Sequence, residues 1–187
     1  NIFSKDIGPG NCLIDSWIRN NSSKKFDLNG ILAHSGIVNE IILEQAQELF
    51  SNRKSPNFFS LDVNDFDVSF ARGLSLADGA ATLTNFTAKI ISSSIMESIK
   101  NKKLNSIEVI VCGGGRKNIT LIKNIKTNLN KDIKIKDIDD FGLDGDFIES
   151  QAFAYLSIRT YLKLPISFPK TTNCKNPTVG GTINSNF

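Results

Sequence analysis

Histidine is nearly absent from this chain. The single one, His34, has no acid or nucleophile at a recognisable spacing, so it reads as a solvated loop histidine. Cysteine is almost as scarce. Cys12, Cys112 and Cys174 are odd in number and far apart, which excludes a disulfide framework and a zinc knuckle and points to a reducing, cytoplasmic setting. No apolar run approaches the ~20 residues of a membrane span. A concentrated basic face is missing too. The net charge of +3 is spread along the chain. Its densest run, Lys100, Lys102 and Lys103, closes a predicted helix where cations favour the dipole. No aromatic stacking motif accompanies it, so nucleic acid is not an expected partner. Asp62, Asn64, Asp65 and Asp67 lack the glycine and the distal glutamate of a calcium loop, and no metal ligands are expected there. Internal repeats are also lacking.

What is present suits one soluble α/β domain or one lobe of a larger enzyme: 187 residues, 40% of them hydrophobic. The chain does not open on Met, and its first residues read like the end of a strand. It is therefore expected to be a piece of a longer protein, cut close before Asp6. The bias toward Lys, Asn, Ile, Ser and Phe has no functional reading.

The stretch Lys5-Asp6-Ile7-Gly8-Pro9-Gly10-Asn11-Cys12-Leu13-Ile14-Asp15 organises the rest. Gly8 and Gly10 allow close backbone approach around Pro9, which fixes one φ. Asn11 is placed to cap a helix over 12–20, whose Leu13, Ile14, Trp17 and Ile18 form one apolar stripe. Such a turn directs backbone N–H groups and a helix N-terminus at one spot that suits a phosphate, with Asp6 at its rim as a base or a holder of hydrated metal. The same residues also satisfy a plain strand–turn–helix corner.

Farther on, a turn over 26–30 precedes an amphipathic helix over 38–50. The segment 51–57 breaks the pattern, and 58–70 is irregular. The longest helix is predicted over 75–103. Ser75 and Asp78 resemble a capping box at its start, and Gly79-Ala80-Ala81 imply a close neighbour. A buried strand over 106–112 follows, then Gly113-Gly114-Gly115, then a helix over 119–130 capped by Asn118, then a strand over 132–136. Strand, glycines, helix and strand imply a parallel pair. The loop 137–145 is acidic, an apolar helix spans 146–162, and a tail begins at Pro165. Glycines at the carboxyl end of a strand lie where open α/β sheets bind ligands, and three without side chains let a purine or ribose lie flat. The spacing is not the dinucleotide fingerprint. A packing turn is the alternative.

Taken in order, these motifs resemble the anhydro-N-acetylmuramic acid kinases. The match runs through Asp6-x-Gly-Pro-Gly-Asn-x-Leu-x-Asp15, Lys54-Ser55, Asp65-Phe66, Ala80-Ala81-Thr82-Leu83-Thr84 and Phe86-Thr87-Ala88. It continues through Cys112-Gly113-Gly114-Gly115 with Asn118, Gly145-Asp146 with Glu149, and Ala152-Phe153-Ala154-Tyr155-Leu156. Each is modest alone; the ordered set is strong, and it covers nearly the whole chain. The resemblance implies the C-terminal lobe, residues 1–187, of a two-lobe actin-like, ribonuclease H-type ATPase with a mixed sheet flanked by helices. It implies ATP with Mg2+, an amino-sugar substrate, a first lobe outside this chain, and a dimer. By the same resemblance Asp6 is the catalytic aspartate. Gly8, Gly10 and Asn11 face the phosphates, and Gly113, Gly114, Gly115 and Asn118 form the adenosine side. Glu149 either reaches the sugar or simply favours its helix N-terminus.

Three positions depart from the family pattern. Lys5 stands where an apolar or aromatic residue is usual, Ile7 replaces a Thr, and Thr172-Asn173 replaces a Thr-Gly. Two other functions compete with a kinase: a catalytically silent nucleotide-binding or interaction module on the same fold, and a dinucleotide enzyme built on the Gly113 turn.

Overall fold

The computed structural model describes residues 4–53, 65–100 and 106–184. The Lys54-Ser55 motif, Asp62, Asn64, Lys102 and Lys103 lie outside that set.

One long helix carries the fold. α4, Leu76–Ile99, has 24 residues and is therefore about 36 Å long. Ser75 caps it, its hydroxyl accepting from Asp78 N at 3.1 Å. The expected reciprocal half of a capping box is replaced by another contact. The Asp78 carboxylate accepts from Ile37 N at 2.7 Å and from the Ser75 hydroxyl at 2.7 Å. The Ile37 amide, followed by the Ser75 hydroxyl, holds the Asp78 carboxyl below its ordinary value.

Against the first half of α4 pack α1 (Cys12–Asn21), α2 (Ile31–Ser35) and α3 (Glu40–Arg53). Leu13, Ile14, Trp17 and Ile18 are all buried, as the stripe predicted, and they join Leu43, Leu83, Phe86 and Ile90 in one core. The small residues that open α4 have their neighbour in Trp17. Its indole lies so close that a Cβ on Gly79 would stand 2.2 Å from Cζ2, and its Nε1 donates to Leu76 O at 3.0 Å. His34 is exposed as expected, but on α2 rather than in a loop.

The second half of α4 faces a smaller core. It contains Leu121, Ile125, Leu129 and Ile133, with Ile91, Ile95 and Met96 against them. β1 (Ile107–Val111), α5 (Ile119–Asn128) and β2 (Ile133–Asp137) form the predicted unit. The two strands are parallel, with Ile107 opposite Ile133 and Val111 opposite Asp137. Among the described residues this pair is the whole sheet, so the mixed sheet expected from the resemblance is represented only by one parallel pair. β1 is also not the buried strand that its apolar run implied. Its burial alternates, and Ile110 is 47% exposed. The helices α4 and α5 cover one face of the pair, while the other carries Glu108, Ile110, Lys134 and Lys136, including a Lys136–Glu108 ion pair at 2.6 Å.

α6 (Ile148–Tyr161) comes next, followed by α7 (Pro169–Thr172) and an antiparallel bridge between Ser167 and Thr178. No residue of α6 is buried, despite its apolar sequence.

Candidate functional site

The N-terminal corner folds as a tight turn. Cys12 N donates to Pro9 O at 3.0 Å, with Gly10 at φ +54°. Gly8 lies against α4, where an added Cβ would approach Ile90 Cγ2 to 3.1 Å. Asn11 does not cap α1 with its side chain as expected; it already has helical backbone angles. Its side-chain oxygen accepts instead from Asn118 Nδ2 at 3.3 Å, across 107 residues of sequence.

Asn118 sits at the second corner. It is 3% exposed, and its Oδ1 accepts from Leu121 N at 3.0 Å, the predicted cap of α5. One amide thus caps a helix and ties the two corners together. A third turn completes the junction. Asn29 and Gly30 both take left-handed φ, and a Cβ on Gly30 would fall 2.2 Å from Asn118 Oδ1. Thr120 Oγ1 donates to Gly30 O at 2.7 Å. The same turn begins at buried Asp27, whose two carboxylate oxygens accept from Leu32 N and Ala33 N at 2.8 and 2.9 Å. On α1, burial raises the Asp15 carboxyl; Arg19 opposes this and Asp27 adds to it.

The glycine turn leaves the carboxyl end of β1. Gly113, at φ +74° and ψ −179°, takes a conformation that side chains oppose. An added Cβ at Gly114 or Gly115 would meet no atom within 4 Å, so the backbone is open to a ligand at that edge.

Beneath it lies a residue that the sequence reading did not single out. The Arg116 side chain is only 5% exposed and spans three carboxylates: Asp137 at 3.4 Å, Asp139 at 3.0 Å and Asp146 at 2.5 Å. Its Nη1 also donates to Gly113 O at 3.2 Å. Gly113 N donates to Gly145 O at 3.1 Å, and Gly145 N to Asp139 Oδ1 at 2.7 Å. Asp139 is held below the ordinary carboxylate range by the Gly145 amide and then by Arg116. Lys117, then Arg116, does the same to Asp146. The only signal in the sequence was an Arg next to three glycines and an acidic loop 20 to 30 residues on; nothing in that spacing says they meet.

Asp6 is exposed on the approach to the first corner. Glu149 is exposed in the first turn of α6, one turn after Asp146, which the Arg116 cluster holds. A cavity of about 480 Å3 opens on the other side of the N-terminal segment, lined by Ser4, Lys5, Ile7, Ser94, Glu97 and residues 169–173 among others. Neither Asn11 nor any of residues 113–118 lines it. At Asn173, φ is +55°. Asn is among the few side-chain-bearing residues enriched in that left-handed conformation, so it can stand where the family usually has Gly. Cys12, Cys112 and Cys174 are free thiols.

Parallel strands whose carboxyl ends release a glycine turn and an acidic loop define an α/β domain, and in open α/β sheets ligands generally bind at those ends. The profile of the family described as "Anhydro-N-acetylmuramic acid kinase" matches residues 1–186. The chain belongs to that family. It is 50% identical over 184 residues to the "Anhydro-N-acetylmuramic acid kinase" of Pelagibacter ubique (strain HTCC1062), covering 98% of this chain and 49% of the relative. It is 37% identical over 184 residues to the protein of the same name from Zymomonas mobilis subsp. mobilis (strain ATCC 31821 / ZM4 / CP4), covering 97% and 48%. A third relative of that name, from Rhodospirillum rubrum (strain ATCC 11170 / ATH 1.1.1 / DSM 467 / LMG 4362 / NCIMB 8255 / S1), is 37% identical over 177 residues, covering 95% and 45%. The chain spans about half the length of the curated relatives it matches.

Proposed function

We propose that the complete protein phosphorylates 1,6-anhydro-N-acetylmuramic acid with ATP while water opens the anhydro ring, giving N-acetylmuramic acid 6-phosphate in cytoplasmic cell-wall recycling. This chain is then the C-terminal lobe of an actin-like, ribonuclease H-type kinase. The observation that carries the reading is the Asn118–Asn11 hydrogen bond at 3.3 Å. It joins the corner assigned to the phosphates to the turn assigned to adenosine, so both can flank one ATP.

The chemistry assigns the remaining roles. Water attacks the anomeric carbon, the C1–O6 bond breaks, and O6 attacks the γ-phosphate as ADP leaves. Asp6 takes the proton from water, a general-base contribution of about 10²–10⁴-fold. Gly10 and Asn11 lie toward the phosphates and Gly114 and Gly115 toward adenosine. Gly8, packed on Ile90, and Asn118, with its amide buried, act by holding those corners in place. Glu149 reaches the sugar from the start of α6. Among the described residues no three His, Cys, Asp or Glu side chains gather as a metal cage. Magnesium travelling with ATP would be held chiefly by phosphate oxygens and water and would neutralise phosphate charge.

The rest of the protein supplies the other wall of the cleft. α6 presents Phe153, Tyr155, Ile158 and Tyr161, each at least 59% exposed, and the outer face of the strand pair is bare. An α/β layer normally buries both faces of its sheet. A segment of the complete protein lying against this surface would supply that cover.

Two experiments test the reading. The purified 187-residue chain should show no sugar phosphorylation. In the complete protein, Asp6→Asn should cut turnover by about two decades or more and leave nucleotide affinity similar. Unchanged turnover removes Asp6 from the mechanism. Nucleotide binding without any turnover in the wild-type complete protein supports the silent-module reading instead.

A further inference from the structure

Arg116 makes a contact that reaches beyond charge pairing. A trans peptide is planar, so the carbonyl of one residue and the N–H of the next point in opposite directions. Arg116 Nη1 holds Gly113 O at 3.2 Å on the inner, acidic side of the turn. The N–H of Gly114 therefore points outward, to the side where an added Cβ on Gly114 or Gly115 meets nothing within 4 Å. Glycine by itself does not fix the orientation of this peptide, because it visits both halves of φ space. Two donors hold that carbonyl, the Arg116 backbone N–H at 3.2 Å and Arg116 Nη1 at 3.2 Å, and only the side chain ties it to the acidic cluster.

Arg116 is itself fixed. Its side chain is 5% exposed, and its planar fork is shared among Asp137, Asp139 and Asp146. Asp137 ends β2 and Asp146 stands just before α6. Gly145 must lack a side chain for this to work, since a Cβ there would stand 2.4 Å from Arg116 Nε. The cluster thus transmits the position of the sheet edge to one peptide of the glycine turn.

We infer that Arg116 is a positioning residue: its side chain helps preset the Gly113–Gly115 turn with the Gly114 N–H outward, so that the nucleotide meets an ordered edge rather than a floppy one. The inference rests on the reading of this turn as the nucleotide side. Lysine cannot replace it, because a point charge cannot bridge three carboxylates and a carbonyl in one plane.

The test uses the complete protein with Arg116→Ala, Arg116→Lys and Lys117→Met. Lys117 pairs with Asp146 from the solvent side and does not touch Gly113 O. ATP binding by calorimetry and KM for the anhydro sugar are read side by side. Both Arg116 variants should weaken ATP binding about tenfold, as loss of a supporting shell does elsewhere, while the sugar KM stays within about twofold. Lys117→Met should alter neither. If Arg116→Ala does not fold, Arg116→Lys, which keeps the charge, decides the matter alone. ATP affinity unchanged in Arg116→Lys, or an equal rise in ATP Kd and sugar KM, overturns the inference while leaving the nucleotide reading intact. Wild-type protein that binds no ATP overturns both.

Discussion

Two apolar-rich regions of this chain, 12–90 and 147–164, put their apolar residues to opposite use. Among the described residues, the first encloses Ile14, Ile18, Leu43 and Leu83 fully where α1, α2 and α3 meet α4. Residues 147–164 expose theirs, and α6 has no buried residue along 14 positions. The first region holds the larger buried cluster. The second begins next to Asp146, which Arg116 holds, and leaves its apolar side chains open. Burial of apolar area dominates folding energy, so the contrast predicts where stability resides now and where it appears in the longer protein.

The sharpest way to break that comparison is Trp17→Ala. It removes the indole over Gly79 and the bond to Leu76 O, and thermal or denaturant unfolding should show a loss of about 3–5 kcal/mol. A loss below 1 kcal/mol would mean the first core is not what holds the chain. Phe153→Ala sharpens the other side. At 62% exposure it should leave the 187-residue chain nearly unchanged, whereas in the complete protein it should cost about 1.5–3 kcal/mol. Equal effects in the two would show that α6 stays bare.

A smaller effect comes from acid. Asp139 and Asp146 have carboxyls lowered in the folded state. Their unfolded values lie near 3.9, so their stabilising contribution is complete well above that pH. It is lost as pH falls through the lower folded values. Unfolding followed from pH 6 to pH 3 should therefore show a decline below about pH 4 that Arg116→Lys reduces. A decline of the same size in that variant would assign acid sensitivity elsewhere. The smallest expected change is Thr84→Val. The Thr84 hydroxyl is fully buried and has no hydrogen-bond partner among the described residues. Its removal should be neutral or stabilise by up to about 1 kcal/mol. A clear loss would point to a partner for that hydroxyl.

Much of this was legible in the sequence because it is periodic or punctuated. The stripe of Leu13, Ile14, Trp17 and Ile18, the caps at Ser75 and Asn118, and the parallel strands around a glycine turn all follow from local rules. The ordered motifs gave the family. What stayed hidden was long-range. Asn11 looked like a cap, yet its helix starts without one and its amide reaches Asn118 instead. β1 read as buried because an apolar run does not say how many of its faces are covered. Gly30 read as a turn residue, although its close approach to Asn118 is equally restrictive. The Arg116 cluster joins residues from two loops, and no periodicity encodes such a meeting.

The central claim is that the corner at 6–11 and the turn at 113–118 flank one nucleotide. The direct measurement is a structure of the complete protein with a non-hydrolysable ATP analogue. Phosphates should lie against Gly10 and Asn11, and the adenosine against Gly114 and Gly115. A nucleotide seated elsewhere, or touching only one of the two corners, would contradict it.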